Sequence, residues 1–576
     1  MNRSPGELEL LSERVDDLER RVLALEHPAE IKAAQVDEHE QEVLIASGSA
    51  LETFSIFPII GRSMLGVAGA YLLRAVAESG VLPRLPVSVF AVAYAFAWLV
   101  WSSRISSSLP RVMYAGTAAL ILTPMLWEST LTFHVFTPVV TAGVLAAFLT
   151  LATVLDLRNG KARGMWIAQG IGVLTTAALG FRTHEVLPFV TAILLALCVT
   201  EFARSREYQE PVWPLIVVAA DISVWGLIFI YSGAQDTRMA YPLLSTAALI
   251  APASILFAIN GAAISAWVVR RKRGITIFEV IQVTIAFALV VTAVFYFAPE
   301  HGAMILGIVS LVLSGGTYAC ASLYLRAGEE RRSFRVFAVW SAALLVAGSL
   351  WALPLQVAAI LLAVAAGLAT YLSRRFESSM HEFHAVVFLT GASVVADLPR
   401  YLYGCLAGTP PRSPGAAILI VSLCAMAALF LARSEADNAW QRFLHLVMTF
   451  IAICAVTALL AQAVLSGTRA LIALDAHHVA FLRTLSVCAV ALAIGFVGSR
   501  WGRRELTHLA YAALALLAVK LLFEDLRHGQ MGFAAASIAL FAVTLMGVPR
   551  LVRLGAQRHA KAELKAECGQ VPHVPV

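Results

Sequence analysis

Charge is scarce in this chain. Asp, Glu, Lys and Arg supply 14% of the 576 residues and apolar types 59%, against about 25% and 45–50% in soluble domains. That composition excludes a water-soluble globule. No stretch alternates apolar and polar residues with period two, which removes a membrane β-barrel and leaves helices as the way to satisfy the backbone in lipid. Cysteine is sparse and unpatterned: the seven residues (Cys198, Cys320, Cys405, Cys424, Cys454, Cys488, Cys568) include no C-x-x-C pair. They read as small core residues, not as a disulfide or metal framework. The first fifty residues lack a basic segment leading into a short apolar core and cleavage site, so the first true span is expected to act as the insertion signal.

Catalytic signatures are missing as well. Gly160-Lys161 lacks the earlier glycine and the following Ser or Thr of a P-loop, and neither G-x-G-x-x-G after a strand nor G-x-S-x-G occurs. His381, Glu382 and His384 form H-E-x-H, one residue short of the zinc spacing, and are read as a cytoplasmic span start; His477-His478 is read as an external-loop pair. No catalytic residue, metal or cofactor is therefore predicted. Basic loops are accounted for by topology and anionic lipid, so no nucleic-acid partner is predicted either.

What the chain does have is apolar runs, about eighteen of them, each near the length that crosses a hydrocarbon core of roughly 30 Å. Their expected limits are 56–78, 87–101, 112–127, 135–155, 165–181, 186–202, 212–231, 243–269 and 276–298 in the first half. In the second half they are 303–325, 334–351, 354–372, 383–397, 415–432, 443–465, 479–499, 506–525 and 531–549. The predicted fold is an all-α polytopic membrane protein, with the bilayer as its first partner. Alternate loops are basic, for example Arg270, Arg271, Lys272 and Arg273, then Arg326, Arg331, Arg332 and Arg335, then Arg500, Arg503 and Arg504. This positive-inside asymmetry predicts both termini in the cytoplasm. The expected regions are a coiled-coil helix at 1–27, an acidic linker at 28–55, the membrane domain at 56–549 and a basic cytoplasmic tail at 550–576. No internal repeat is evident. The longest external connection, 398–414, suits an interfacial cap or re-entrant turn.

Leu8, Leu11, Val15, Leu18, Val22 and Leu25 occupy a and d positions of about three heptads, with Arg14 and Arg21 at g and Glu19 and Glu26 at e. Two readings stand: a homodimer seam through residues 8–26, or an amphipathic helix lying on the protein's own membrane domain.

Charges inside the spans mark the candidate site. Lys520 and Glu524, and likewise Arg74 and Glu78, stand four residues apart at the end of an apolar run, so each pair shares a helix face. With Asp525 and Arg483 they are expected at the external level, lining a polar cavity for an anionic or zwitterionic substrate; the competing reading is local pairing and snorkelling. Asp221, near the middle of its span, is too deep to snorkel and is the candidate ion-coupling residue. Glu279, Asn260 and Gln282 are expected to be solvated near the cytoplasmic ends.

Gly61-Arg62-Ser63 with Tyr71 to Gly80 (YLLRAVAESG), and Ala518 to Leu526 (AVKLLFEDL), resemble the first-span and penultimate-span signatures of a family of bacterial many-span membrane proteins known only as a domain of unknown function. That resemblance implies an N-terminal coiled coil and a terminal apolar span, and brings no activity with it. Three functional classes fit the sequence. The first is a transporter or flippase-like permease for a polar or lipid-linked envelope component. The second is a membrane glycosyltransferase with a polyprenyl-linked donor, against which the absence of D-x-D after Glu78 counts. The third is a non-catalytic envelope scaffold. The balance is against an enzyme.

Overall fold

Apolar segments of this length must pair their backbone groups internally, and the computed structural model shows them doing so as helices throughout. It describes residues 57–569 apart from the connecting stretches 80–81, 159–163, 207–210, 272–273, 323–330, 377, 410–412, 432–438, 474 and 526–530. The predicted coiled coil at 1–27 and linker at 28–55 lie outside the described residues. In order, the helices are α1 Phe57–Ser79, α2 Arg84–Ser103, α3 Ser108–Leu131, α4 Pro138–Arg158, α5 Trp166–Arg182, α6 Val186–Ser205 and α7 Trp213–Ser232. There follow α8 Thr246–Arg271, α9 Ile277–Phe297, α10 Gly302–Cys320, α11 Arg331–Ala352, α12 Leu355–Phe376 and α13 Ser379–Val395. The last are α14 Leu398–Leu406, α15 Ala416–Leu431, α16 Ala439–Arg469, α17 Ala476–Trp501, α18 Arg504–Lys520 and α19 Met531–Gly569.

Among the described residues there is no strand, and 15 helices are long and apolar enough to cross a membrane, or 16 with the bent pair α13–α14. The two other predicted spans are the shorter helices α5 (17 residues) and α15 (16 residues). At 1.5 Å per residue these reach only about 25 Å, a little short of the hydrocarbon core. Only 17% of the most apolar windows of α1 and α19 is buried in the protein, so most of their apolar surface is left for lipid. α19 continues from the last predicted span through Pro549 to Gly569, into the predicted tail.

The chain divides into two compact units, Met1–Ile259 and Asn260–Val576. In the first, Leu99, Ile121, Leu122, Leu126, Leu145 and Phe148 form a buried core, and hydroxyl pairs such as Ser88–Ser129 and Thr130–Thr141 join neighbouring helices. In the second, alanine dominates the core that α12, α13, α15 and α16 share. Small side chains allow the close helix approach that replaces the hydrophobic effect as a driving force in lipid.

The tightest such contact joins α10 and α11. A Cβ on Gly307 would lie 2.5 Å from the Ala352 nitrogen, and one on Gly348 would lie 2.9 Å from the Gly307 carbonyl. Seven residues along each helix, Ser314 and Ser341 exchange hydroxyl-to-carbonyl bonds of 2.8 and 2.9 Å. Gly307→Val is expected to cost about 2–3 kcal/mol by overpacking, read as a lowered thermal midpoint in detergent. Gly315→Ala on the same helix, where nothing lies within 4 Å, should be neutral or slightly stabilising.

Candidate functional site

The second unit holds a nearly buried network of four charges. It begins with a break in a span: α13 stops at Val395, and Asp397 takes the left-handed conformation (φ 60°, ψ 29°), which Asp tolerates better than most residues. Pro399 then falls in the first turn of α14, where a missing N–H is harmless. The nine-residue α14 leaves at 59° to α13 and falls within the predicted 398–414 connection.

Short helices end on unpaired carbonyls that carry partial negative charge. Here Arg483, two turns into α17, supplies the donors. Its Nε donates to the Cys405 carbonyl at 2.9 Å, and its Nη2 donates to the carbonyls of Gly404 (3.3 Å) and Gly408. Nη1 meets Glu524 Oε1 at 2.8 Å. With its side chain only 5% exposed, Arg483 both caps α14 and ties it to the end of α18.

That end is a π turn, Leu521–Asp525. In an α-helix residue i+5 lies about 140° around from residue i, whereas the wider i→i+5 turn brings it back beneath. Lys520 consequently reaches Glu524 Oε2 at 3.3 Å and Asp525 Oδ1 at 3.2 Å. Thr484 bridges the same group from α17: it donates to Asp525 Oδ2 at 2.6 Å and accepts from Lys520 Nζ at 2.8 Å. Lys520 also donates to the Ala480 carbonyl. Two cations and two carboxylates thus balance. Their side-chain exposures run from 2% for Asp525 through 5% and 11% for Arg483 and Lys520 to 23% for Glu524.

Gly404 and Gly408 also form part of the wall of a cavity of about 370 Å³ lined by Asp397, Arg400, Tyr401, Tyr403, Thr409 and Ile418. Arg400 and Asp397 stand 3.8 Å apart and are largely exposed. The cavity therefore opens on one exposed charge of each sign, while the buried network that Arg483 ties to the same short helix is internally neutral.

In the first unit, Arg74 pairs with Glu78 at 3.0 Å, as the spacing predicts, and also with Glu128 on α3 at 2.8 Å. A local pattern cannot reveal Glu128, because it lies on another helix. Asp221 is buried near the middle of α7. One sequence reading is corrected. Asn260 and Gln282, expected to be solvated, are each 3% exposed; α8 runs to Arg271, which leaves Asn260 in its middle, and Gln282 points into packing. The H-E-x-H residues are likewise buried: His381 bonds to the Tyr318 hydroxyl at 3.0 Å, and Glu382 lies 3.8 Å from Nε2 of His445, on α16.

Fold and site together define an all-α, multi-pass membrane protein with an ion-paired junction at a broken span. Compared with known protein families, curated proteins and solved structures, the chain has no match.

Proposed function

We propose that this protein is a permease of the transporter or flippase-like type, and that α14 with its charged support forms the binding element. The proposed substrate is a polar or lipid-linked envelope component with an anionic or zwitterionic head. The observation that carries this reading is the span broken at Asp397, whose short half ends on the buried Arg483–Glu524–Lys520–Asp525 network. Discontinuous helices with polar ends near the bilayer interior are how many transporters hold substrates and ions. The exposed Arg400 and Asp397 at the cavity offer one charge of each sign, which suits a zwitterion. Positive-inside topology puts this end outside the bacterial inner membrane and both termini in the cytoplasm. Asp221 is the proposed ion-coupling residue of the first unit.

The test works with the substrate unidentified. Reconstituted protein is screened by solid-supported-membrane recording against amino acids, organic acids and phosphates, and by a scrambling assay with a fluorescent lipid-linked sugar. At least one class should give a response in the wild type that falls at least tenfold in Arg400→Gln, whose exposed position leaves the fold intact. Spin labels at Tyr403 and Leu419 should also report two distance populations. Silence across the panel together with one narrow distance would remove the permease.

A further inference from the structure

We infer that Asp475, His477 and His478, at the start of α17, form a binding site for a divalent transition metal of the zinc class. Among the described residues, these three each bring one ligand atom to within 4.8 Å of the other two. The donor set, two imidazoles and a carboxylate, is one that zinc-class ions favour over magnesium or calcium.

The local structure leaves these groups unspent on folding. Asp475 occupies the N-cap position with extended backbone (φ −83°, ψ 167°), where an aspartate ordinarily accepts an amide hydrogen of the first turn. It makes no such bond, and its Oδ2 instead lies 3.8 Å from His477 Nε2. The Nδ1 of His478 is shut off from solvent and has no hydrogen-bond partner among the described residues. Both rings are held from another helix. Phe533 of α19 packs at 5.0 Å from His477 and 4.7 Å from His478, and the two imidazoles lie 4.5 Å apart. Ligands around a metal at about 2.0–2.1 Å stand roughly 3.3 Å from one another, so the cluster is slightly more open than a filled site.

Two electrostatic effects oppose each other here. The positive end of α17 disfavours a cation, and the Asp475 carboxylate offsets it. Three protein ligands leave one coordination position to water. A bound ion would clamp the first turn of α17, ahead of Arg483 on the same helix.

The full-length protein, prepared without a polyhistidine tag and stripped with EDTA, is titrated with Zn²⁺ by calorimetry and with Cu²⁺ by electron paramagnetic resonance. One Zn²⁺ per chain is expected. Zn²⁺ binding should weaken at least a hundredfold in His477→Gln and in His478→Gln and at least tenfold in Asp475→Asn, with metal-free thermal midpoints unchanged. The Cu²⁺ spectrum should show two coordinating nitrogens in the wild type and one in His477→Gln, a readout independent of stability. Unchanged zinc affinity in both histidine variants, or a nitrogen count that ignores His477→Gln, would overturn the assignment and place any bound metal on others of the 14 histidines.

Discussion

Replacing Arg483 with glutamine should lower the unfolding free energy by about 3–5 kcal/mol, the usual cost of removing one partner from a buried ion pair. The guanidinium is 5% exposed and serves Glu524 and three carbonyls at once. Its loss uncaps α14 and leaves Glu524 with Lys520 alone. Arg483→Lys keeps the charge but not the planar fork, so it should recover only part. Adding Glu524→Gln to Arg483→Gln should restore some stability, because one carboxylate fewer is left short of cations. Denaturant or thermal unfolding in a single detergent measures all four proteins. A loss below about 1 kcal/mol in Arg483→Gln would mean that the network behaves like a solvated surface cluster.

The second large effect concerns Lys520 and Asp525. Lys520→Met leaves a carboxylate that is 2% exposed with Thr484 as its remaining side-chain donor among the described residues. Asp525→Leu leaves Lys520 with Glu524 as its remaining carboxylate partner and Thr484 with only the Ala480 carbonyl to donate to. Each single change should cost several kcal/mol, about 3–5 for Lys520→Met. The double variant Lys520→Met/Asp525→Leu removes both charges and keeps the Arg483–Glu524 pair. It should lie within about 1–2 kcal/mol of the wild type, since a well-packed apolar replacement of a buried pair is often neutral. A double variant as unstable as the sum of the singles would show that the pair holds the π turn through its hydrogen bonds and not through charge balance.

The features legible in the sequence are those set by spacing along one helix. Apolar run lengths mark out the spans, and i, i+4 spacing marks Arg74–Glu78 and Lys520–Glu524. Contacts across helices stay hidden: Glu128 beside Arg74, Thr484 beside Lys520 and His445 beside Glu382 are 54, 36 and 63 residues away. The π turn is hidden for a different reason. Leu521 to Asp525 contains neither glycine nor proline, and an i+5 pair carries no signal under an α-helical template. Arg483 stands out as a charge in an apolar run, but its main acceptors are backbone carbonyls, which no side-chain pattern encodes. Burial of Asn260, Gln282 and the H-E-x-H group escapes a sequence reading because nearness to a loop along the chain says little about which face a helix turns inward.

The length of α19 sets a physical distance. Its 39 residues extend about 58 Å at 1.5 Å per residue, nearly twice the roughly 30 Å hydrocarbon slab. Even with its first part fully immersed, about 28 Å of helix is left beyond the acyl chains, starting near Pro549. A helix that kept its direction past Pro549 would carry Gly569 beyond the headgroup layer and outside the reach of charge on the lipid surface, which fades over about 8 Å at physiological salt.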